Sequence, residues 1–302
     1  MKTNTNKTIL YVWWVILLLA GSCDVGGEEE LPTYVRVEPI RVESTPGSGS
    51  TSAKITEAWV FLNNDFAGAY DLPATVPLLG EGEQTVLVQA GIKDNGLFDR
   101  PEIYPFYSTD SFRVDLAPLG IDTVRPRVQY LPSVEFSFIE DFEDGDSFFS
   151  DDIDGNPETT VSITTESDEV FEGDRSGKIV LTADNALVQV ATSAAQKITD
   201  IANLQSPFVY LEINYKSDVD VIFGVIAHPS GLVTNPEVAF EAGFLANEEW
   251  NKIYLNFSSL IVNLPAPEYQ IILSAGLPVD GSGNFIEDRG VILLDNIKLV
   301  HF

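Results

Sequence analysis

Residues 208–216 read FVYLEINYK and residues 251–257 read NKIYLNF. Both segments alternate apolar and polar side chains with a period of two, which is the period of a β-strand that buries one face. The apolar positions are Leu211, Ile213 and Tyr215 in the first segment and Ile253, Leu255 and Phe257 in the second. The alternation predicts two strands whose apolar sides face one core.

Seven further segments with strand character surround these two. They read TVSITT, GKIVLTA, LVQVAT, DVIFGVIA, EVAFEAGFLA, YQIILSA and GVILLDNIKLV. Turns rich in Gly, Pro, Asn and Asp join them, as expected for antiparallel strands. Nine such strands predict a jelly-roll β-sandwich over residues 138–302.

The preceding residues predict a second β-rich unit. TYVRVE, AWVFLNN, QTVLVQAGI and SFRVDLAPL have strand character, and this half of the chain has no long helical period. We therefore expect an immunoglobulin-like β-sandwich over residues 32–132, which makes the whole fold all-β. Trp59 has the same strand parity as Phe61, and we expect Trp59 in the core of this unit.

Composition excludes several classes of function. The 302-residue chain has 46 Asp and Glu against 17 Lys and Arg, a net charge of −29, which argues against nucleic-acid binding. Its single Cys excludes a disulfide framework, and its two His make a His-based catalytic triad unfavourable. No nucleophile elbow or other catalytic motif is present, so the sequence predicts a protein that is not an enzyme and has no organic cofactor.

The first 22 residues have the pattern of a signal peptide. Lys2 and Lys7 precede an apolar run, ILYVWWVILLLA, that is too short for a stable membrane span. Small residues then lead to Cys23, the one cysteine of the chain. LAGSC resembles the lipobox of bacterial lipoproteins, and this resemblance implies that Cys23 is acylated after cleavage. An ordinary signal peptide followed by a chance cysteine is the alternative.

Residues 23–31 continue as an acidic, glycine-containing tether, CDVGGEEEL. The stretch resembles the acidic export signal of Bacteroidota surface lipoproteins, which implies attachment to the outer membrane on the side that faces the cell exterior. A plain solvated tether is the alternative. Loss of the signal peptide removes Lys2 and Lys7, so the mature chain has a net charge of −31.

A second resemblance covers residues 55–107 of the first unit. WVFLNN, LPATVPLL, GIKDNG and YPFY look like pieces of the N-terminal half of a group of uncharacterised Bacteroidota lipoproteins. The resemblance implies a compartment and an architecture, and no activity.

The C-terminal unit resembles the jelly-roll carbohydrate-binding modules. DFEDG at 141–145, EEWNKIYLNFSSL at 248–260 and LLDNIKLV at 293–300 carry the likeness. In such modules, acids at these places hold a structural calcium, which implies a site at Asp141 or Glu143 together with Asp295. Calcium needs six to eight oxygen ligands. A solvated acidic surface is the alternative for a chain this acidic.

Strand parity also nominates a ligand-binding face. Rings that stack on sugars and amides that bind hydroxyls would lie on the polar side of the sheet. The candidates are Tyr210, Glu212, Asn214, Tyr254, Asn256 and Gln270. The ordinary solvated face of an antiparallel sheet is the alternative.

We therefore expect a non-catalytic lipoprotein that acts as a binding or assembly module. Two alternatives stay open for what it contacts. One is a surface protein that binds glycan through the jelly-roll face, and the other is an accessory subunit that docks on an outer-membrane barrel protein. The glycan hypothesis requires the Tyr210 and Tyr254 face to be exposed.

Overall fold

The computed structural model describes residues 31–202, 208–230 and 235–302. The signal peptide, Cys23 and the tether up to residue 30 lie outside these residues. In the described part, the chain forms 21 strands and one short helix, so the predicted all-β fold is confirmed. No helix of this part is long and apolar enough to span a bilayer.

The first unit is a sandwich of short strands. Its strands are β1 (Thr33–Val37), β2 (Arg41–Val42), β3 (Glu57–Leu62), β4 (Asp65–Asp71), β5 (Ala74–Leu78), β6 (Gly82–Lys93), β7 (Pro101–Ile103), β8 (Asp110–Leu116), β9 (Ile121–Val124) and β10 (Arg127–Val128). One sheet has the order β4-β3-β6, with β7 and β8 both paired to β6. The other has the order β5-β1-β9, and β2 pairs with β10 beside it.

The core of this unit follows the period-two pattern, with one exception to our expectation. Val35 and Val37 of β1 are fully buried, as are Ala58 and Val60 of β3. Because neighbours in a strand point to opposite faces, burial of Ala58 and Val60 places Trp59 on the outer face. The prediction that Trp59 lies in the core is therefore wrong, and its ring, like that of Phe61, packs against Phe66 on the outside of the sheet.

The second unit contains the remaining strands. They are β11 (Glu135–Glu140), β12 (Phe149–Asp152), β13 (Ser162–Thr164), β14 (Ser176–Thr182), β15 (Leu187–Thr192), β16 (Val209–Ser217), β17 (Val221–His228), β18 (Glu237–Phe244), β19 (Asn247–Asn256), β20 (Glu268–Gly276) and β21 (Arg289–His301), with helix α1 (Ser258–Asn263) after β19.

These strands form two antiparallel sheets. The front sheet has the order β13-β14-β21-β16-β19, and β11 also pairs with β21. The back sheet has the order β12-β15-β20-β17-β18. Apolar side chains from both sheets fill one core between them, including Leu211, Phe223, Leu255, Ile271 and Leu294.

The two units pack against each other through the outer face of the front sheet. Tyr210, Tyr254 and Val300 belong to that sheet, yet they are buried in the hydrophobic cluster of the first unit. The core of the first unit therefore extends onto the second, and this contact decides which surfaces of the molecule stay accessible.

Candidate functional site

The predicted parity of β16 and β19 is confirmed. Leu211 and Ile213 of β16 and Leu255 of β19 are buried in the core of the second unit. Glu212 lies opposite Tyr254 on the two strands, so the polar positions share the other face. In the same register Tyr210 pairs with Asn256 and Asn214 with Lys252.

The expected exposure of this face is wrong. Tyr210, Glu212, Asn214 and Tyr254 are each 3% exposed or less, and Asn256 is half-buried. The first unit covers them, so a glycan in solvent has no access to the face. A single strand pattern shows which residues share a face, but it does not show whether another domain packs on that face.

A buried charge cluster lies at the centre of this interface. The hydroxyls of Tyr104 and Tyr130 in the first unit each donate a 2.6 Å hydrogen bond to Glu212 Oε1. Lys252 Nζ lies 2.9 Å from Glu212 Oε2, though without hydrogen-bond alignment. Lys298, opposite Glu212 on β21, donates its Nζ to the carbonyl of Ser50 at 2.6 Å. Two cations and one carboxylate are thus enclosed between the units.

The charges set each other's pKa values. Burial by itself raises the pKa of Glu212, but the Lys252 and Lys298 ammonium groups and the two tyrosine hydroxyls outweigh it and lower that pKa. Burial lowers the pKa of Lys298 to about 8, against the opposing attraction of Glu212. Glu212 is therefore held as a carboxylate, which the buried ammonium groups need as a counter-ion.

Aromatic rings surround the charges. The YPFY segment supplies Tyr104, Phe106 and Tyr107, all of them buried. The Tyr104 ring centroid lies 5.5 Å from that of Tyr210 and 4.9 Å from that of Tyr254. The rings of the first unit therefore occupy the positions at which a ligand would stack on these two tyrosines.

Two loops of the first unit complete the interface. From the TPGSGSTS loop, Ser52 Oγ accepts a 2.8 Å hydrogen bond from Asn214 Nδ2. From the GIKDNG loop, Asn95 N donates to the Tyr254 carbonyl at 3.0 Å, and Asn95 Oδ1 accepts from Asn256 N at 2.7 Å. The predicted ligand residues are thus engaged within the protein.

Gln270 lies apart from the other predicted ligand residues. It belongs to β20 of the back sheet, where its Nε2 donates to Asp151 at 2.9 Å and to the Thr192 carbonyl at 2.6 Å. Its Oε1 lies 2.7 Å from His228 Nε2. The six predicted residues therefore do not form one surface.

The predicted calcium ligands are also dispersed among other contacts. Glu143 Oε1 accepts the backbone N–H groups of Asp174 and Arg175 at 2.8 and 3.0 Å. Asp295 accepts the Ser176 hydroxyl at 2.6 Å, and its burial raises its pKa to about 6. In the part of the chain that the structure describes, no three His, Cys, Asp or Glu residues group as metal ligands. Calcium binding stays a prediction.

A groove lined by residues of both units lies beside the interface. Its volume is about 880 Å³, within the range of ligand sites in proteins. One wall comes from the GIKDNG loop and the residues after it, and the other comes from the ends of β17, β18 and β20. Its charged and amide residues are Lys54, Asn95, Arg100, Asp220, Glu241, Asn251 and Lys252.

The rim of the groove is apolar. Leu187, Ile222 and Leu245 line it and are 49, 42 and 73% exposed. On the opposite side Leu97 lines it, and the adjacent Phe98 is 83% exposed. Planar amide, guanidinium and carboxylate groups bind hydroxyl groups, and apolar rims bind C–H faces, so the groove has the chemistry to bind a polyhydroxylated ligand.

Sequence reasoning missed both the charge cluster and the groove. A Lys within an otherwise apolar strand, as in LLDNIKLV, was a usable signal for a buried ion pair. The concentration of rings in YPFY was a signal for an interface. The groove had no such signal, because its walls come from residues that are far apart in the sequence.

The chain resembles solved structures of other proteins only at low similarity. No protein-family model matches the chain, and no curated protein matches it. A solved β-sandwich carbohydrate-binding module of promiscuous specificity is 15% identical, with a TM-score of 0.35, over 90% of this chain and 99% of its own. The xylan-binding family 22 module of Paenibacillus barcinonensis is 14% identical, with a TM-score of 0.38, over 55% of this chain and 99% of its own.

A third similar structure is the family 11 carbohydrate-binding module of Clostridium thermocellum in complex with a mixed-linked tetrasaccharide. It is 16% identical, with a TM-score of 0.36, over 55% of this chain and 94% of its own. Similarity this low does not show what the present chain binds.

Proposed function

We propose that the protein is a non-catalytic, lipid-anchored surface lipoprotein of a bacterial outer membrane that binds a glycan in the groove between its two units. The observation that supports the glycan is the groove itself, about 880 Å³ with polar planar groups inside and apolar side chains on its rim. The front-sheet face is occupied by the first unit, so the groove replaces it as the binding surface.

Phe98 provides the test of this site. Its ring is 83% exposed next to Leu97 and Arg100 of the groove, and Lys93 Nζ lies 4.8 Å from its centroid. We expect Phe98→Ala to remove most glycan binding and to leave stability unchanged, because the ring has little core contact. Stacking of this kind contributes on the order of 1 kcal/mol or more.

The measurement is a glycan-array screen of residues 24–302, followed by calorimetric titration of the best glycan. Phe66→Ala is the matched control, since that ring is 56% exposed on the other side of the first unit. A screen without any bound glycan would refute the proposal, as would equal affinity of wild type and Phe98→Ala. We also expect the protein to leave the bound glycan uncleaved. The appearance of new reducing ends in the glycan would show that the protein is an enzyme.

The anchor has a separate test. Cys23→Ala should release the protein from the membrane fraction of its own cells, because acylation of that residue is the proposed attachment. Digestion of the wild-type protein by protease added to intact cells is expected if it faces outward. A Cys23→Ala protein that stays in the membrane fraction would refute the anchor.

Affinity purification in mild detergent distinguishes the remaining alternative. We expect the tagged protein to emerge without a stoichiometric partner. A near-equimolar integral membrane protein would instead make it an accessory subunit, with the apolar groove rim as the docking surface.

A further inference from the structure

Four exposed apolar side chains surround the place where the chain enters the first unit. Leu31, Leu79, Leu119 and Ile121 are 50, 55, 63 and 74% exposed. Large apolar side chains scattered singly on a surface need no explanation, but a group of them marks an interaction site. We call these four residues the apolar tip.

Strand pairing brings the apolar tip together. Thr33 of β1 pairs with Leu78 of β5, which places Leu79 directly beyond the start of β1. On the other side of β1, Tyr34 pairs with Ile121 of β9. Leu31 precedes β1 in the chain, and Leu119 lies in the turn before β9. Leu79 and Ile121 lie on either side of the first residues of β1, so the four residues surround the start of that strand.

The turn that holds Leu119 is well defined. Leu119 N donates to the Pro32 carbonyl at 3.0 Å, and Gly120 N donates to the Ala117 carbonyl at 2.8 Å. Thr33 Oγ1 also donates to the Ala117 carbonyl at 2.7 Å. Leu119 has a φ of 63°, which a β-unbranched apolar residue adopts at a cost. Leu119 is therefore held in a strained backbone conformation, and its apolar side chain is exposed to solvent.

The short stretch of chain between Cys23 and the apolar tip indicates that the partner of the tip is a bilayer. Only eight peptide steps separate Cys23 from Leu31. A fully extended chain spans at most about 3.6 Å per residue, so these steps cover no more than roughly 29 Å. A bilayer that holds an acylated Cys23 is therefore always within reach of the apolar tip.

We infer that the apolar tip inserts into the interfacial zone of the bilayer next to the lipid anchor, an inference that rests on the proposed acylation of Cys23. The protein is then attached at two points, and the groove keeps a fixed orientation to the membrane. The exposed carboxylates Glu81, Glu83 and Asp122 lie close to the tip in the sequence, so the lipid surface that fits is zwitterionic.

The test uses residues 23–302 with one maleimide-linked acyl chain on the Cys23 thiol, added to phosphatidylcholine vesicles. A single acyl chain gives only marginal, reversible binding, about 10⁴ M⁻¹, so a contribution from the tip is measurable. We expect the double variant Leu119→Ser/Ile121→Ser to partition into vesicles about tenfold more weakly, equivalent to about 1.4 kcal/mol.

The control is Val262→Ser/Ile286→Ser, whose residues are 56 and 60% exposed on the second unit. This pair should leave partitioning unchanged. Equal weakening by both pairs would overturn the inference, as would no weakening by the tip pair. Because the chain on Cys23 is attached chemically, failure of the tip is distinguishable from failure of cellular acylation, which Cys23→Ala in cells reports.

Discussion

At the scale of single residues, Glu212 is the side chain on which the interface depends most. It is fully buried and partly offsets the charge of two ammonium groups that are also buried, those of Lys252 and Lys298. Buried ion pairs contribute little compared with an apolar replacement, but removal of one member leaves an uncompensated charge. The charge cluster therefore favours the folded state only while Glu212, Lys252 and Lys298 are all present.

Glu212→Gln should lower the free energy of unfolding by roughly 3–5 kcal/mol, because Lys252 and Lys298 then lose their counter-ion. Denaturant titration measures this loss. The control is Glu83→Gln, which removes an exposed pair with Arg113 at 3.3 Å and should cost less than about 1 kcal/mol. Similar losses in the two variants would contradict the account of the cluster.

Asp295 should give the stability of the protein a distinct pH dependence. Burial raises its pKa from 3.8 to about 6, so the folded protein holds a proton that the unfolded chain has already released in that range. Its contribution to stability is therefore full below about pH 4 and falls as pH rises towards 6, by roughly 1–3 kcal/mol in total. Unfolding titrations of wild type and Asp295→Asn at several pH values measure it, and parallel curves would refute it.

At the scale of elements, the GIKDNG loop acts as an extension of the front sheet. Asp94 forms a parallel bridge with Tyr254 on β19. Asn95 and Gly96 both have positive φ, 52° and 70°, which turns the loop sharply after that bridge. Asn95 and Gly96 of this loop contact β19 and also line the groove. A substitution in the loop therefore affects both.

Gly96→Ala should cost more stability than Gly47→Ala. Both glycines have positive φ, so each substitution carries a backbone penalty of about 1 kcal/mol. At Gly96 a Cβ would also lie 3.0 Å from Ile253 Cδ1, whereas at Gly47 it would meet nothing within 4 Å. Denaturant titration of both variants isolates the contact, and equal losses would show that the loop is free to move away from β19.

At the scale of the whole molecule, the two sandwiches share buried surface and should unfold together. The first hydrophobic cluster includes Tyr210, Tyr254 and Val300 from the second unit. Separation of the units would expose these side chains and the charge cluster at the same time.

We expect residues 31–302 to unfold in a single calorimetric transition, with equal calorimetric and van't Hoff enthalpies. Residues 138–302 alone should be less stable and should aggregate, because the front-sheet face would then be exposed. Two well-separated transitions in the longer chain would contradict a cooperative interface.

The all-β class and the residues that share a strand face could both be predicted from the amino-acid sequence. Those properties follow from local geometry, since the period of two acts within each strand. Leu211 and Ile213 therefore lie on the core side as expected, and Tyr210 and Glu212 on the other. Trp59 lies on the outer face because its neighbours in β3, Ala58 and Val60, take the core side.

What covers each face depends instead on tertiary packing. Tyr104 and Glu212 are 108 residues apart in the sequence, yet they share a 2.6 Å hydrogen bond that closes the front sheet to solvent. The groove is likewise lined by Arg100 of the first unit and Glu241 of the second. Such contacts depend on how two folded sheets pack against each other, and the residue pattern within a single strand does not predict that packing.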